Sequence, residues 1–249
     1  MLPASEFPIL SRSSLARWYF LPQGLRRRST TFYQWENHAS SLYHGLSLSL
    51  NRRLANEIEF TGSYTLSKAI DDASDFNEQP ENPYSLPAER ALSVNDQRHR
   101  FVFSGIFDLP FGDEEGGKTP SRAIAKLFGN IEAAPILTIG SGRPINLLSG
   151  FDANRSGAVP LSSRPLGFGR NSLLTGTQIQ LDLRVLKFFK VGEHGKLDFV
   201  VEAFNLFNHM TIVALNQFYG TESIPLAAFA TANKAGTPRQ LQFSVDFEF

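Results

Sequence analysis

His99 stands in Arg98-His99-Arg100, three residues after Asp96. A histidine beside a carboxylate is the smallest unit from which a general base or a metal site is built. A metal site needs several ligands converging on one point, and His38, His44, His194 and His209 lie in unrelated segments without HExxH or similar spacing. The bland reading is a loop-to-strand junction at which Arg and Asp pair inside a lumen. Asp71, Asp72, Asp75, Glu78 and Glu81 form an acidic stretch of the hard oxygens that suit calcium. Their spacing is not that of a calcium loop and the turn glycine is missing, so a solvated loop is expected. Gly140-Ser141-Gly142-Arg143-Pro144 lacks the lysine and the following helix pattern of a phosphate cradle and reads as a strand-to-loop turn. Asn154-Arg155-Ser156 fits a glycosylation sequon, a triplet common by chance. There is no GxSxG elbow and no Cys, which excludes a cysteine nucleophile and a thiolate metal site. The expectation is a protein without catalytic residues, metal or cofactor, and not an enzyme.

The elements that would carry these residues are strands. The chain has 249 residues, with 22 Phe against 2 Met and 2 Trp, and 19 Gly and 14 Pro. That balance favours strands joined by turns, and Phe also favours membrane interfaces. In Arg239–Phe249, Leu241, Phe243, Val245, Phe247 and Phe249 alternate with Gln240, Gln242, Ser244, Asp246 and Glu248. Successive strand side chains point to opposite faces, so this segment has one apolar and one polar face. The same period of two recurs at Leu46–Asn51, Glu57–Ser67, Arg100–Leu109, Gln178–Val185 and Leu197–Phe204, and more weakly at Asn130–Gly140, which carries Pro135. This predicts about seven strands of roughly 10–13 residues, eight if Thr30–Glu36 is one. Such strands exceed the five or six residues usual in soluble sheets and suit the roughly 9–11 that cross a bilayer at a tilt.

The connections alternate in length. Arg53–Asn56 and Val191–Gly195 are short and Pro110–Gly129 is intermediate, whereas Ala69–Gln97, Ser141–Gly176 and His209–Pro238 are long. A transmembrane β-barrel has this asymmetry, with short periplasmic turns and long extracellular loops. The expected fold class is therefore all-β, an antiparallel transmembrane β-barrel segment of seven or eight long strands, a partial barrel over residues 29–249. Residues 1–28 stay unassigned, as a segment outside the barrel and a candidate for translation out of context. No apolar run approaches the roughly 20 residues of a spanning helix. The balance of 24 Lys+Arg against 24 Asp+Glu argues against a nucleic-acid partner.

Several stretches resemble, in order, the C-terminal part of the barrel of Oar-like TonB-dependent outer-membrane transporters. They are SSLYHGLSLSLNRRL (Ser40–Leu54), FTGSYTLSKAIDD (Phe60–Asp72), AERALSVNDQRHRFVFSGIFDLPFG (Ala88–Gly112), GSGRPIN (Gly140–Asn146), LDLRVLKFFKVGE (Leu181–Glu193), LDFVVEAFNLFNH (Leu197–His209) and PRQLQFSVDFEF (Pro238–Phe249). The resemblance covers most of Tyr33–Phe249. It implies a Gram-negative outer-membrane location, a lipid environment and energy-coupled solute uptake. Such transporters need about 22 strands around a plug. The implied partners are thus the plug and N-terminal barrel strands of a parent protein and, through that parent, the energy-transducing inner-membrane complex. The terminal Phe247 and Phe249 resemble the signal read by the barrel-assembly machinery. Two rivals remain at this stage: a small self-contained porin-like barrel, and a soluble β-sandwich with a binding role. The sandwich would need a second hydrophobic layer facing Gln240, Gln242 and Asp246.

Overall fold

A computed structural model describes residues 37–54, 58–75, 78–109, 129–152, 162–192, 195–220 and 224–249. The expectations placed on Met1–Arg28, Thr30–Glu36 and Asn154–Ser156 lie outside the described residues. Seven long strands form one antiparallel meander: β1 (Ser41–Leu54), β2 (Ile58–Asp71), β4 (His99–Asp108), β5 (Ile131–Gly140), β8 (Gln178–Val191), β9 (Gly195–Phe204) and β12 (Gln240–Glu248). Each pairs with the next in chain order, and the two-residue β3 (Ala91–Leu92) adds to the end of β2. β1 and β12 are the two edges, so no closure is seen.

The register joins the alternating faces into continuous rows. Leu50 pairs with Gly62, Gly62 with Phe103, Phe103 with Leu137, and Leu137 with Leu181. Further along, Val185 pairs with Val201 and Val201 with Phe243. Directly opposed residues of an antiparallel pair share a face. One side of the whole sheet is therefore apolar from β1 to β12, as the alternation predicts. The first chain of pairs starts near the hairpin end of β1 and reaches the opposite, long-connection end of β8. Strands closing around an axis require this tilt and stagger.

The apolar face is uncovered. Leu50 is 62% exposed and Phe243 is 70% exposed, and Leu46, Leu48, Phe199, Val245 and Phe247 are exposed as well. Soluble monomers rarely leave so large a continuous apolar surface bare. No second layer packs against either face among the described residues, which removes the support for a sandwich. Among the described residues the buried apolar side chains are Leu147, Leu148, Val200 and Ala203, and they are outnumbered by buried polar ones such as Asp71, Glu89, Asp96, Arg164, Arg170 and Asn205. The molecule is apolar outside and polar within.

The three long connections leave one end of the sheet and carry structure of their own. β6 (Pro144–Ile145) pairs with β7 (Leu173–Leu174), and β10 (Ile212–Leu215) pairs with β11 (Ala232–Ala235). Gly142 lets the first of these hairpins form, because a Cβ there would lie 1.7 Å from the Thr175 carbonyl oxygen. Its neighbour Ser141 donates its amide to the His99 carbonyl. The Gly140–Pro144 stretch is thus the strand-to-loop turn that its residues suggest.

Candidate functional site

Three surfaces could act: the apolar wall, the polar wall, and the cap built by the long connections. On the apolar wall, aromatic rings gather towards the short-connection end, where Phe60, Phe107, Phe189, Phe199 and Phe247 lie on the exposed row. Phe189 and Phe199 meet edge to face at 5.6 Å, and Phe247 stacks on Phe249 at 5.8 Å. Lys187 Nζ sits 5.2 Å over the Phe189 ring and donates to the Gly129 carbonyl at 2.9 Å. A belt of rings with a cation turned back to the backbone suits a membrane–water boundary. Near the other end Tyr64 and His99 share the row, with Tyr64 Oη 2.8 Å from His99 Nδ1. His99 is therefore tied to a neighbouring ring. Asp96 accepts the Ala69 amide and lies 3.7 Å from Arg98, so the Arg–Asp pairing expected at this junction is present.

The polar wall carries Ser47, Thr65, Ser104, Asp182, Arg184, Glu202 and Gln242. Ser47 and Thr65 hydroxyls bond at 3.0 Å across β1 and β2. Lys196 Nζ donates to Asp198 at 2.8 Å. A hollow of about 480 Å³ is lined from β2, β4, β5, β8 and β9 together, mostly by this face. Five neighbouring strands can line one hollow only if the sheet curves around its polar side. Ser47, Ser49, Asn51, Thr61 and Gln242 stay exposed on that concave side. In a small closed barrel they would pack against each other and fill the interior.

The cap departs from the expectation of a solvated acidic loop. Asp71 is buried, Glu78 and Glu81 are half-buried, and these three are ion-paired to two arginines from the connection between β5 and β8, whereas Asp72 pairs with Arg90 and Asp75 stays exposed. The Arg170 side chain is 1% exposed and pairs with Asp71 at 2.7 Å and with Glu78 at 2.5 Å, while its second terminal nitrogen also donates to Ser74 Oγ. Arg164 makes a fork to Glu89 at 2.7 and 2.8 Å and pairs with Glu81 at 3.0 Å. Burial works against the Arg170 charge, but the bonds to Glu78 and Asp71 outweigh it and raise the guanidinium above its usual value. Arg164 is raised in the same way by Glu89 and Glu81. Asn171 Nδ2 donates to the Leu92 carbonyl at 2.7 Å, adding a neutral tie between the same two connections. Nothing local in the sequence links Arg164 or Arg170 to acids some 75–99 residues earlier, and these arginines were not singled out from it.

The third connection is pinned at its root by Asn205. In the left-handed region at φ 51°, this residue donates from Nδ2 to the His209 and Thr237 carbonyls at 3.0 Å each. Its amide reaches Asp182 at 2.8 Å. The connection also docks on the second one through a bridge between Leu148 and Phe218.

Asp72 lies at the rim of the cap. Burial raises its carboxyl, but the Ser40 hydroxyl and amide and then Arg90 overcome this and hold it below its usual 3.8. A lowered carboxylate stabilises the fold above its unfolded value and loses that contribution as pH falls through the folded one. The stability difference between the wild type and Asp72→Asn should therefore be full at neutral pH and vanish in acid below 3.8. Equal differences across an unfolding series from neutral to acid would reject the pairing.

An antiparallel sheet with a bare apolar face, a belt of rings, a concave polar face with exposed side chains and loops gathered at one end is the wall of an outer-membrane barrel. The comparison with known families agrees: residues 10–167, more than half of the chain, match the outer membrane beta barrel domain, and the chain belongs to that family. Membership places it in the outer membrane. No curated protein and no solved structure matches it. The family match ends before β8, yet β8, β9 and β12 continue the same sheet without a break in register.

Proposed function

We propose that the chain is the C-terminal barrel segment of an Oar-like TonB-dependent transporter, a non-enzymatic protein for energy-coupled solute uptake. The observation that carries this reading is the open polar concave face, which suits the inner wall of a wide barrel with room for a plug and water. The resembling stretches support it, since they fall in order on six of the seven long strands, all but β5: FTGSYTLSKAIDD runs along β2 into the cap, LDFVVEAFNLFNH along β9 through Asn205, and PRQLQFSVDFEF along β12. In this reading the long connections face the outside and catch solute. A plug and further strands of a parent protein complete the machine, and the inner-membrane complex drives the plug.

The porin-like alternative differs in one measurable respect. A plugged transporter holds small solutes back, while a porin passes them. Proteoliposomes of the parent protein should not swell in isotonic arabinose. Swelling would overturn the transporter reading and leave an open pore.

Phe247 and Phe249 enter as the assembly signal. Phe249 is 99% exposed beyond the end of β12, which is an edge of the described sheet. An exposed edge can accept another strand, and the stacked rings add an anchor at the interface. Deleting Phe249 should cut the outer-membrane level severalfold while hardly changing the melting of what inserts. Unchanged surface abundance would leave it as a rim residue.

A further inference from the structure

The concave face is mostly polar, and three of its apolar side chains gather in one hollow, with Val102, Leu186, Phe188 and Val200 sharing the face outside it. Ile106 from β4, Ile136 from β5 and Phe204 from β9 point to the polar side, where they are 46%, 48% and 39% exposed. All three line the hollow of about 480 Å³, a size within the range of small-molecule sites. Isolated apolar residues on a surface need no account, but three from three strands gathered in one hollow form a floor. Charge rims that floor unequally. Glu59, Asp182 and Glu202 line the same hollow against Arg184, and with Arg53 3.8 Å from Glu59 outside the lining, three carboxylates stand against two guanidiniums. Arg184 lies 3.9 Å from Glu202, and Asp182 already accepts the Asn205 amide and both bonds from Gln180 Nε2. The carboxylates are thus held in place on the wall.

We propose that this hollow is a binding site on the lumen wall for a small solute with an apolar body and a cationic group. The apolar body covers Ile106, Ile136 and Phe204. The cation sits among Glu59, Asp182 and Glu202, with the Phe204 ring able to add a cation–π contact. The site rests on the concave face being the water-filled wall, but not on energy coupling.

The natural absence of Cys makes the test direct. Ser104 lines the hollow, so Ser104→Cys places a single thiol there. In the membrane-inserted protein, N-ethylmaleimide should label it. Benzyltrimethylammonium, an aromatic body with a fixed positive charge, should slow that labelling severalfold and saturably. Phenylacetate, of similar size and opposite charge, should not. Adding Ile106→Asn or Glu59→Gln to Ser104→Cys should each weaken the protection. Equal protection by both probes, or protection indifferent to both added substitutions, would overturn the site. A thiol that maleimide never reaches would mean that the hollow is covered, and would overturn the solute site while leaving the barrel wall untouched.

Discussion

Arg170→Met should be the most damaging single substitution in the cap, costing about 3–5 kcal/mol in equilibrium unfolding, because it strands one buried and one half-buried acid without their cation. Asp71 is 4% exposed and the Glu78 side chain is 17% exposed, and both are paired to Arg170. The desolvation of all three charges is balanced only while the pairs are intact. Removing the cation leaves the penalty and takes away the attraction. The segments around Glu78 and Arg170 should also become sensitive to protease from the loop side. Neutralising the acids in the same background, as Asp71→Asn with Glu78→Gln, should return part of the loss. A loss near that of an exposed pair, below about 1 kcal/mol, would mean the cap is not coupled to the sheet.

The second large effect separates the two faces. Phe103→Arg should cost roughly 2–4 kcal/mol, as charged substitutions near the midplane of the lipid face do. Ser104→Arg, one residue on, should cost far less because it points to the hydrated side. Phe103 lies mid-strand in β4, its ring centroid 5.9 Å from that of Phe60 on the apolar row. The comparison holds strand, depth and introduced group fixed and changes only the face. Equal losses in a reversible lipid-based unfolding assay, or the reverse order, would dismiss the assignment of lipid and water sides.

What the sequence made legible was the wall. Period-two alternation is a property of neighbours, so Leu241–Phe249 declares its two faces without help from the rest of the chain. Even Pro135, which weakens the β5 pattern, sits within the strand opposite Leu183. The cap was not legible for the opposite reason. Its ion pairs join residues far apart in the chain, and hairpins as short as Pro144–Ile145 with Leu173–Leu174 are too brief to show a period. The acidic stretch therefore reads as solvated when taken alone, although Arg164 and Arg170 pair with Asp71, Glu78 and Glu81. The hollow falls between these cases. Ile106 and Phe204 stand out on their polar faces in the sequence, but only the pairing of β4, β5, β8 and β9 shows that they line one hollow with Ile136.

The meander has an arithmetic consequence. Its strands alternate in direction, so of the seven long ones β1, β4, β8 and β12 run one way and β2, β5 and β9 the other. A ring in which every neighbour is antiparallel holds equal numbers of each sense. Joining β12 to β1 would put two strands of the same sense side by side. A second copy in the same membrane orientation would double the imbalance rather than cancel it. Any all-antiparallel ring built on this sheet therefore adds an odd number of strands, one more of the β2 sense than of the β1 sense.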